Sequence, residues 1–275
     1  MDNIFILLFA GFLVGTIGTL IGAGGGFILV PLLLLTHPEL SPGTITAISI
    51  AIVAANALSG SLAYSHSGRV DYKAGLLFAL FTIPGSVLGV YATAYMPKMA
   101  FHLIFGILLI LMAIFLFVAR KQHSIDGGSH SSGTGNVHHV LTDKWGVTYD
   151  YRYNPYLGIG ISIIVGFLSP LLGIGGGIIH VPALVNWLNF PVYIATATSH
   201  FILAVMSTVS VITHLHEGRY NDPAVLRMVM GLGVGAIAGA QLGAFLSHKI
   251  KGNVIIRSLA VCLALAGARI LLVIH

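Results

Sequence analysis

The chain has 275 residues, of which 56% are hydrophobic and 8% are charged, with a formal net charge of +5. An ordinary soluble domain carries about 25% charged residues, so this composition excludes a soluble globular protein. Because apolar runs of about twenty residues recur along the chain, the sequence predicts an all-α polytopic membrane protein in a lipid bilayer. Basic residues in such a protein report loop orientation, and the positive charge does not indicate a nucleic-acid partner.

Eight hydrophobic segments form two groups of four around a hydrophilic stretch. We predict an N-terminal repeat at residues 1–119, a cytoplasmic linker at 120–154 and a C-terminal repeat at 155–275. The linker is rich in Gly, Ser and His, which predicts solvated chain. Its histidines have no spacing diagnostic of a metal site: His123, His130, His138 and His139. We therefore predict neither a metal nor a cofactor.

The two groups are copies of one unit. Residues 46–49 read Thr-Ala-Ile-Ser, and residues 196–199 read Thr-Ala-Thr-Ser. His66-Ser67-Gly68-Arg69 matches His216-Glu217-Gly218-Arg219 at the same offset of 150 residues. Duplicated membrane units are typical of secondary transporters, in which the two halves are frequently inverted relative to each other. We therefore predict an inverted repeat.

Each group begins with a segment that contains a run of glycines. The first glycine stretch, residues 22–26, reads Gly-Ala-Gly-Gly-Gly, and the second, residues 173–177, reads Gly-Ile-Gly-Gly-Gly. An interior glycine costs a helix about 1 kcal/mol relative to Ala. Each segment is also about 32 residues long, or about 48 Å as a helix, against a hydrocarbon core of about 30 Å. The stretches therefore predict a broken helix in each group, restarting at about Phe27 and Ile178.

The break has two interpretations. Each glycine stretch either bends one tilted span or folds the segment back as a re-entrant pair of short helices. In both arrangements nine of the 13 basic residues lie on the side of the central linker. The positive-inside rule therefore places the linker in the cytoplasm and does not choose between the arrangements. We favour the fold-back arrangement, which makes the two halves antiparallel.

Broken helices offer an anion site without a charged side chain. The start of a helix presents unpaired N–H groups and the positive end of the helix dipole. Two such starts facing each other would hold a small anion between the halves. The glycines that we predict to contact it are Gly24, Gly25, Gly26, Gly175, Gly176 and Gly177. Close helix packing is the alternative explanation for glycines in a membrane protein.

A few polar side chains inside the segments complete the predicted site. These candidates are Ser49, Asn56, His180, Ser199, His200 and Gln241. Each has a structural alternative, because serine commonly bonds a carbonyl of its own helix and Asn, Gln or His commonly joins two helices. No Asp or Glu lies deep inside a segment, which argues against a cation site. Arg257 and Arg269 lie near opposite ends of the last segment, where snorkelling is the default interpretation.

Signatures of other protein classes are absent from the sequence. It contains no His-Glu-x-x-His, no Gly-x-Ser-x-Gly and no pair of intramembrane carboxylates, which argues against an intramembrane enzyme. A passive anion channel would use the same site as a carrier and stays an alternative.

The paired Gly-x-Gly-Gly-Gly-x-x-x-x-Pro stretches, the duplicated four-segment unit and the patch Gly239-Ala-Gln241-Leu-Gly243 resemble the sulfite exporter TauE/SafE family. The resemblance implies a permease of the inner (cytoplasmic) membrane for sulfite, sulfoacetate or a related small anion, with the glycines of both stretches at its central site. We therefore predict a secondary transporter that moves a small sulfur-containing anion by alternating access. Proton coupling through a titrating histidine is an open alternative.

Overall fold

The computed structural model of the chain describes residues 4–118, 137–247, 249–250 and 252–273. Within these residues the first half forms α1 (Ile4–Ile21), α2 (Gly26–Thr36), α3 (Pro42–Ser65), α4 (Tyr72–Ala94) and α5 (Lys98–Val118). Strands β1 (Val137–Thr142) and β2 (Thr148–Tyr153) follow. The second half forms α6 (Pro155–Leu172), α7 (Gly177–Asn186), α8 (Val192–His216), α9 (Pro223–Ser247) and α10 (Gly252–Val273).

Seven helices of the described chain are long and apolar enough to cross a membrane: α1, α3, α4, α5, α6, α8 and α9. Helices α2 and α7 are shorter apolar helices, and α10 contains the apolar stretch Ala260–Leu272. The prediction of an all-α polytopic membrane protein is confirmed. Both long first segments are split at their glycine stretches, as predicted, because α1 ends before the first stretch and α6 before the second.

Scattered glycines allow two pairs of helices to pack in close contact. Helix α1 packs along α9, and a Cβ on Gly235 would lie 2.8 Å from the backbone nitrogen of Phe12. Helix α4 packs along α6, and a Cβ on Gly85 would lie 2.8 Å from the backbone nitrogen of Phe167. Each pair joins one helix from each half. For these glycines, close packing is the structural role.

Helices α3 and α8 pack against each other and run antiparallel. The guanidinium of Arg69, just after the end of α3, lies 4.9 Å from the ring centroid of Tyr193 at the start of α8. At the opposite end, a Cβ on Gly43 at the start of α3 would lie 3.0 Å from the guanidinium carbon of Arg219, just after α8. Positions 43 and 193 differ by the repeat offset of 150, as do 69 and 219. We call the end near Arg69 the cap end and the end near Arg219 the far end.

Residues 137–153, here called the cap hairpin, are ordered, which differs from the expectation of solvated linker. The two strands pair from Val137 with Tyr153 to Thr142 with Thr148. Alternation places Tyr151 and Tyr153 on one face, where both are buried against Phe190 with ring centroids at 4.7 and 5.0 Å. This face joins an apolar cluster with residues of α4, α7 and α8. The linker histidines His123 and His130 lie outside the described residues.

Candidate functional site

Each glycine stretch turns the chain back along the preceding helix. Gly25 and Gly176 have left-handed backbones with φ of 85° and 76°, a conformation that favours glycine. A Cβ on Gly25 would lie 2.8 Å from the carbonyl oxygen of Val14, and one on Gly176 would lie 3.1 Å from the side chain of Val165. Eleven residues of straight helix would separate each of these pairs by about 16 Å. The contacts therefore show that the chain reverses at both stretches.

The two glycine stretches lie directly against each other. A Cβ on Gly26 would lie 2.9 Å from the carbonyl carbon of Ile174, and one on Gly177 would lie 2.7 Å from the Cα of Ala23. Both positions require glycine because a side chain would collide with the backbone of the other half. Gly26 and Gly177 therefore form the contact between the two stretches, and the other four predicted glycines are their chain neighbours.

Two serines, one on each of the central helices α3 and α8, hydrogen-bond to the glycine stretch of the opposite half. Ser49 Oγ on α3 donates a hydrogen bond to the carbonyl oxygen of Gly173 at 2.6 Å. Ser199 Oγ on α8 donates to the carbonyl oxygen of Gly22 at 3.3 Å. Both serines are fully buried, and neither bonds a carbonyl of its own helix. The structure thus places Ser49 and Ser199 at the glycine stretches, where their hydroxyls bond backbone carbonyls of the other half.

Each new helix begins with buried N–H groups that have no hydrogen-bond partner among the described residues. Neither α2 nor α7 has a side chain that caps its first turn. The residues with unpaired N–H groups are Gly25, Gly26, Phe27, Gly175, Gly176 and Ile178. A buried helix start of this kind favours a negatively charged ligand.

Apolar side chains of α3 and α8 cover both helix starts. A Cβ on Gly24 would lie 2.5 Å from Leu203 and 3.0 Å from Val53, and one on Gly175 would lie 2.7 Å from Val53. Val53 and Leu203 belong to a buried cluster, here called the central plug, with Ala57, Ala204 and Met206. In this conformation the glycine stretches therefore face the central plug.

A buried polar cluster adjoins the first glycine stretch. Thr19 Oγ1 donates to Asn56 Oδ1 at 2.8 Å and lies 3.2 Å from His200 Nε2. Tyr64 Oη donates to the carbonyl oxygen of Thr19 at 2.8 Å, and its ring meets that of His200 edge to face at 5.7 Å. Asn56 Nδ2 and His200 Nδ1 are buried without a partner among the described residues. Because an amide nitrogen carries two N–H donors, this cluster keeps hydrogen-bonding capacity for a ligand.

Thr19 and Tyr64 were not among the residues predicted from the sequence. A comparison of the two halves contains the signal that would have found Thr19. The positions that correspond to Thr19, Asn56 and His200 in the other half are Pro170, Met206 and Ile50. These apolar counterparts indicate that the polar residues are not needed for the shared framework. The signal for Tyr64 is weaker, since its counterpart, His214, is also polar.

His180, Gln241 and the two arginines of α10 have other surroundings. His180 Nε2 lies 3.5 Å from Ser162 Oγ on α6, and its Nδ1 has no partner among the described residues. Gln241 Nε2 donates to the carbonyl oxygen and the hydroxyl of Ser59 at 2.9 and 2.8 Å, so it joins α9 to α3. Arg257 and Arg269 are exposed, which agrees with snorkelling.

Two buried carboxylates fix the cap hairpin to the loop after α3. Arg69 Nε and Nη2 donate to Asp143 Oδ2 at 3.0 and 2.9 Å. Tyr151 Oη donates to Asp71 Oδ2 at 2.7 Å, and His139 Nδ1 lies 2.9 Å from the same oxygen. Burial alone would raise the pKa of Asp143, but the N–H of Val147 and the Arg69 guanidinium outweigh it and lower that pKa. Asp143 is therefore held as a carboxylate.

The charge pattern around the glycine stretches disfavours a cation site built from carboxylates there. None of the ten helices of the described chain contains an Asp or Glu. His138 and His139 of the cap hairpin each have a carboxylate partner, Asp150 and Asp71 respectively. Among the described residues, the acceptor oxygens at the centre that a metal cation prefers are backbone carbonyls, hydroxyls and the Asn56 amide oxygen, whereas N–H donors are also available there.

Sequence comparison relates nearly the whole chain to one transporter family. The family described as Sulfite exporter TauE/SafE matches residues 7–270. The chain is 33% identical over 272 residues to "Probable membrane transporter protein YunE" of Bacillus subtilis, covering 97% of this chain and 96% of that protein. It is 27% identical over 256 residues to a "Probable membrane transporter protein" of Methanocaldococcus jannaschii, covering 90% and 87%. No solved structure matches. The chain therefore belongs to the sulfite exporter TauE/SafE family of membrane transporters.

Proposed function

We propose that the protein is a secondary transporter that moves a small sulfur-containing anion, such as sulfite or an organosulfonate, across the cytoplasmic membrane by alternating access. The observation that carries this proposal is the pair of buried helix starts, α2 and α7, with their unpaired N–H groups. Family membership supports transport in place of catalysis. The cap hairpin, as part of the central linker, would lie in the cytoplasm.

The sign of the ligand follows from the groups that surround the helix starts. The six N–H groups and the Asn56 amide are donors, and the helices of the described chain supply no carboxylate. A small oxyanion has several acceptor oxygens, so it can accept from both helix starts when the central plug withdraws. Ser49, Ser199 and His200 would position the stretches and complete the site. In this proposal Gln241 and His180 do not contact the anion directly. Gln241 positions Ser59, and His180 positions α7 against α6.

Alternating access follows from an inverted pair of halves with a covered centre. The antiparallel contact of α3 with α8 supports an inverted repeat, and with it the fold-back arrangement. A carrier must pass through a state in which its site is closed to both sides, and the central plug supplies such a cover. Movement of α3 relative to α8 would carry Val53 and Leu203 away from the glycines and open the site towards one side.

The transport reaction is tested with the purified protein in proteoliposomes. We expect the initial rate of sulfite entry to saturate with sulfite concentration, because a carrier has one site per cycle. An imposed pH gradient separates proton-coupled transport from uncoupled transport. A rate that rises without saturation would favour the passive channel, and absence of both sulfite and organosulfonate flux would contradict the proposed substrate class.

The ligand site is tested by removing one donor without enlarging the core. Asn56→Leu keeps the side-chain volume close and removes the unpaired amide nitrogen, together with the amide oxygen that accepts from Thr19. We expect sulfite flux to fall by about tenfold, the equivalent of one lost charge-assisted hydrogen bond of about 1.4 kcal/mol. Asn186→Leu is the matched control, since Asn186 Nδ2 donates to the Pro182 carbonyl of its own helix. Equal flux in the two variants would contradict a role of Asn56 in the site.

A further inference from the structure

A cavity of about 370 Å³ lies at the cap end, between the cap hairpin, the end of α3 and the end of α9. Its lining comes from Ala63 near the end of α3 and His66 just after that helix, from Lys144 and Trp145 of the cap hairpin, and from Gln241, Ala244 and Phe245 of α9. Its volume falls within the range of about 300–1,000 Å³ that is common for ligand sites. Of its lining residues, only Gln241 has a role in the transport cycle described above.

The cavity has cationic walls. Lys144 Nζ lies 4.7 Å from the ring centroid of Trp145, and Lys249 Nζ lies 4.6 Å from that of Phe245. Lys144 itself lines the cavity, as does His66, and Lys249 contacts the lining ring of Phe245. None of the described lining residues is acidic, and the neighbouring Asp143 is buried and paired with Arg69. A cleft lined by one sign of charge raises the local concentration of the opposite ion.

Tyr64 contacts the buried polar cluster, and its apolar cluster reaches the wall of the cavity. Ala244, which lines the cavity, packs against the apolar cluster that contains Tyr64. Only 2% of Tyr64 is exposed, and its hydroxyl and ring contact Thr19 and His200 on the other side. Tyr64 therefore contacts the polar cluster that holds the unpaired amide nitrogen of Asn56, and its apolar cluster contacts the cavity wall at Ala244.

We propose that the cavity is an anion-binding vestibule, in which Lys144 and Lys249 collect a small oxyanion that then passes Tyr64 to the buried polar cluster. Passage beyond Tyr64 rests on the proposed transport function, whereas collection of anions in the vestibule does not. The two parts are therefore tested by separate measurements.

Collection is measured with thiol reagents of opposite charge. Ala63→Cys, in a Cys262→Ser background, places a thiol in the vestibule wall. We expect an anionic methanethiosulfonate to react about tenfold faster, relative to its cationic counterpart, than it does with a free thiol. The double change Lys144→Gln and Lys249→Gln should abolish this preference. Lys73→Gln removes an exposed charge that does not line the cavity and should leave the preference intact.

Delivery is measured as the concentration dependence of sulfite flux in proteoliposomes. The double lysine variant should raise the half-saturating sulfite concentration by about fivefold at low salt and leave the maximal rate unchanged, with a smaller change at high salt. Absence of charge preference at Ala63→Cys, or an equal loss in Lys73→Gln, would overturn the vestibule. A retained preference without any wild-type flux of sulfite or organosulfonate would overturn the proposed transport function and support the vestibule.

Discussion

The loops that follow the two central helices carry the same arginine but hold it in different ways. At the cap end, Arg69 keeps 7% of its side chain exposed and pairs with Asp143 of the cap hairpin. At the far end, Arg219 keeps 27% exposed and pairs with Glu217 of its own loop. Both guanidinium groups contact the start of the opposite central helix. The arginine contact with the opposite helix is therefore common to both halves. The additional pair with Asp143 comes from the cap hairpin and holds the cap end more firmly.

The buried polar groups show the same asymmetry. The glycine stretches and their serine bonds occur in both halves, but the polar cluster of Thr19, Asn56, Tyr64 and His200 lacks a full counterpart. Through Tyr64 this cluster adjoins the cavity at the cap end. The two halves thus share the glycine stretches and their serine bonds, but only the cap end has the additional polar cluster. This difference distinguishes the two sides of the proposed transporter.

The largest effect tests whether the two halves are inverted. If they are, a reporter fused after His275 should lie on the side opposite the cap hairpin, and one inserted after Gly128 should lie in the cytoplasm. Paired fusions to a cytoplasm-active and an exterior-active reporter measure both positions. A cytoplasmic signal after His275 would eliminate the fold-back arrangement and with it the inverted repeat.

The next largest effect is expected from substitution of the two arginines, whose costs are compared directly. Arg69→Met leaves Asp143 buried without its cationic partner, which should weaken docking of the cap hairpin by about 3 kcal/mol. Arg219→Met removes a partly exposed pair and should cost less than about 1 kcal/mol.

Trypsin cleavage after Lys144 and Arg152 measures undocking, because the bound hairpin must open before it is cut. An increase of about 100-fold is expected for Arg69→Met. Equal cleavage in both arginine variants would show that Asp143 does not fix the hairpin.

A pH titration sharpens the role of Asp143. Its pKa in the folded protein is lower than the ordinary value of about 4, so its contribution to docking is complete above that value. The contribution is lost as the pH falls through the lowered pKa.

The fluorescence of Trp145, which lies 4.4 Å from the Arg69 guanidinium, reports this step in a Trp187→Phe background. We expect release of the hairpin below about pH 4, and a smaller change in Asp143→Asn, in which all other titratable groups are the same. A titration that is identical in the two proteins would exclude Asp143 as its cause.

The smallest effect compares the two serines at the glycine stretches. Ser49→Ala loses the shorter bond, at 2.6 Å, and Ser199→Ala the longer one, at 3.3 Å. We expect losses of about 1.5 and about 0.5 kcal/mol in the free energy of unfolding. Ser207→Ala is the control, since this serine bonds Leu203 of its own helix. A larger loss for Ser199→Ala would reverse the order of these two contacts.

The glycine and hydrophobic patterns of the sequence predicted the parts of the fold that depend on local chemistry. The breaks before Phe27 and Ile178 were predictable because consecutive glycines disfavour helix wherever they occur. The cap hairpin was missed, although the alternation from Tyr149 to Tyr153 is a strand pattern. The polar composition of the linker outweighs that pattern. The buried face of the hairpin also depends on Phe190, which packs against Tyr151 and Tyr153 and lies far along the chain.

The candidate site could be predicted only in part. The glycines and both serines were chosen because they recur at matched positions in the two halves, and their role as ligands stays a prediction. Gln241 was chosen as a ligand, yet its amide donors are taken by Ser59, and Thr19 was overlooked beside the glycines. A sequence shows which groups can form hydrogen bonds but not which partner each one meets across the molecule.

By itself the sequence determined a duplicated, apolar chain with two broken helices and donors in place of carboxylates, because composition and periodicity fix these properties locally. The tertiary structure alone decided that the two glycine stretches touch, that Val53 and Leu203 cover them, and that Arg69 and Asp143 clamp the cap end. These contacts join residues tens to more than a hundred positions apart. Only the packing of helices from both halves determines which of them meet.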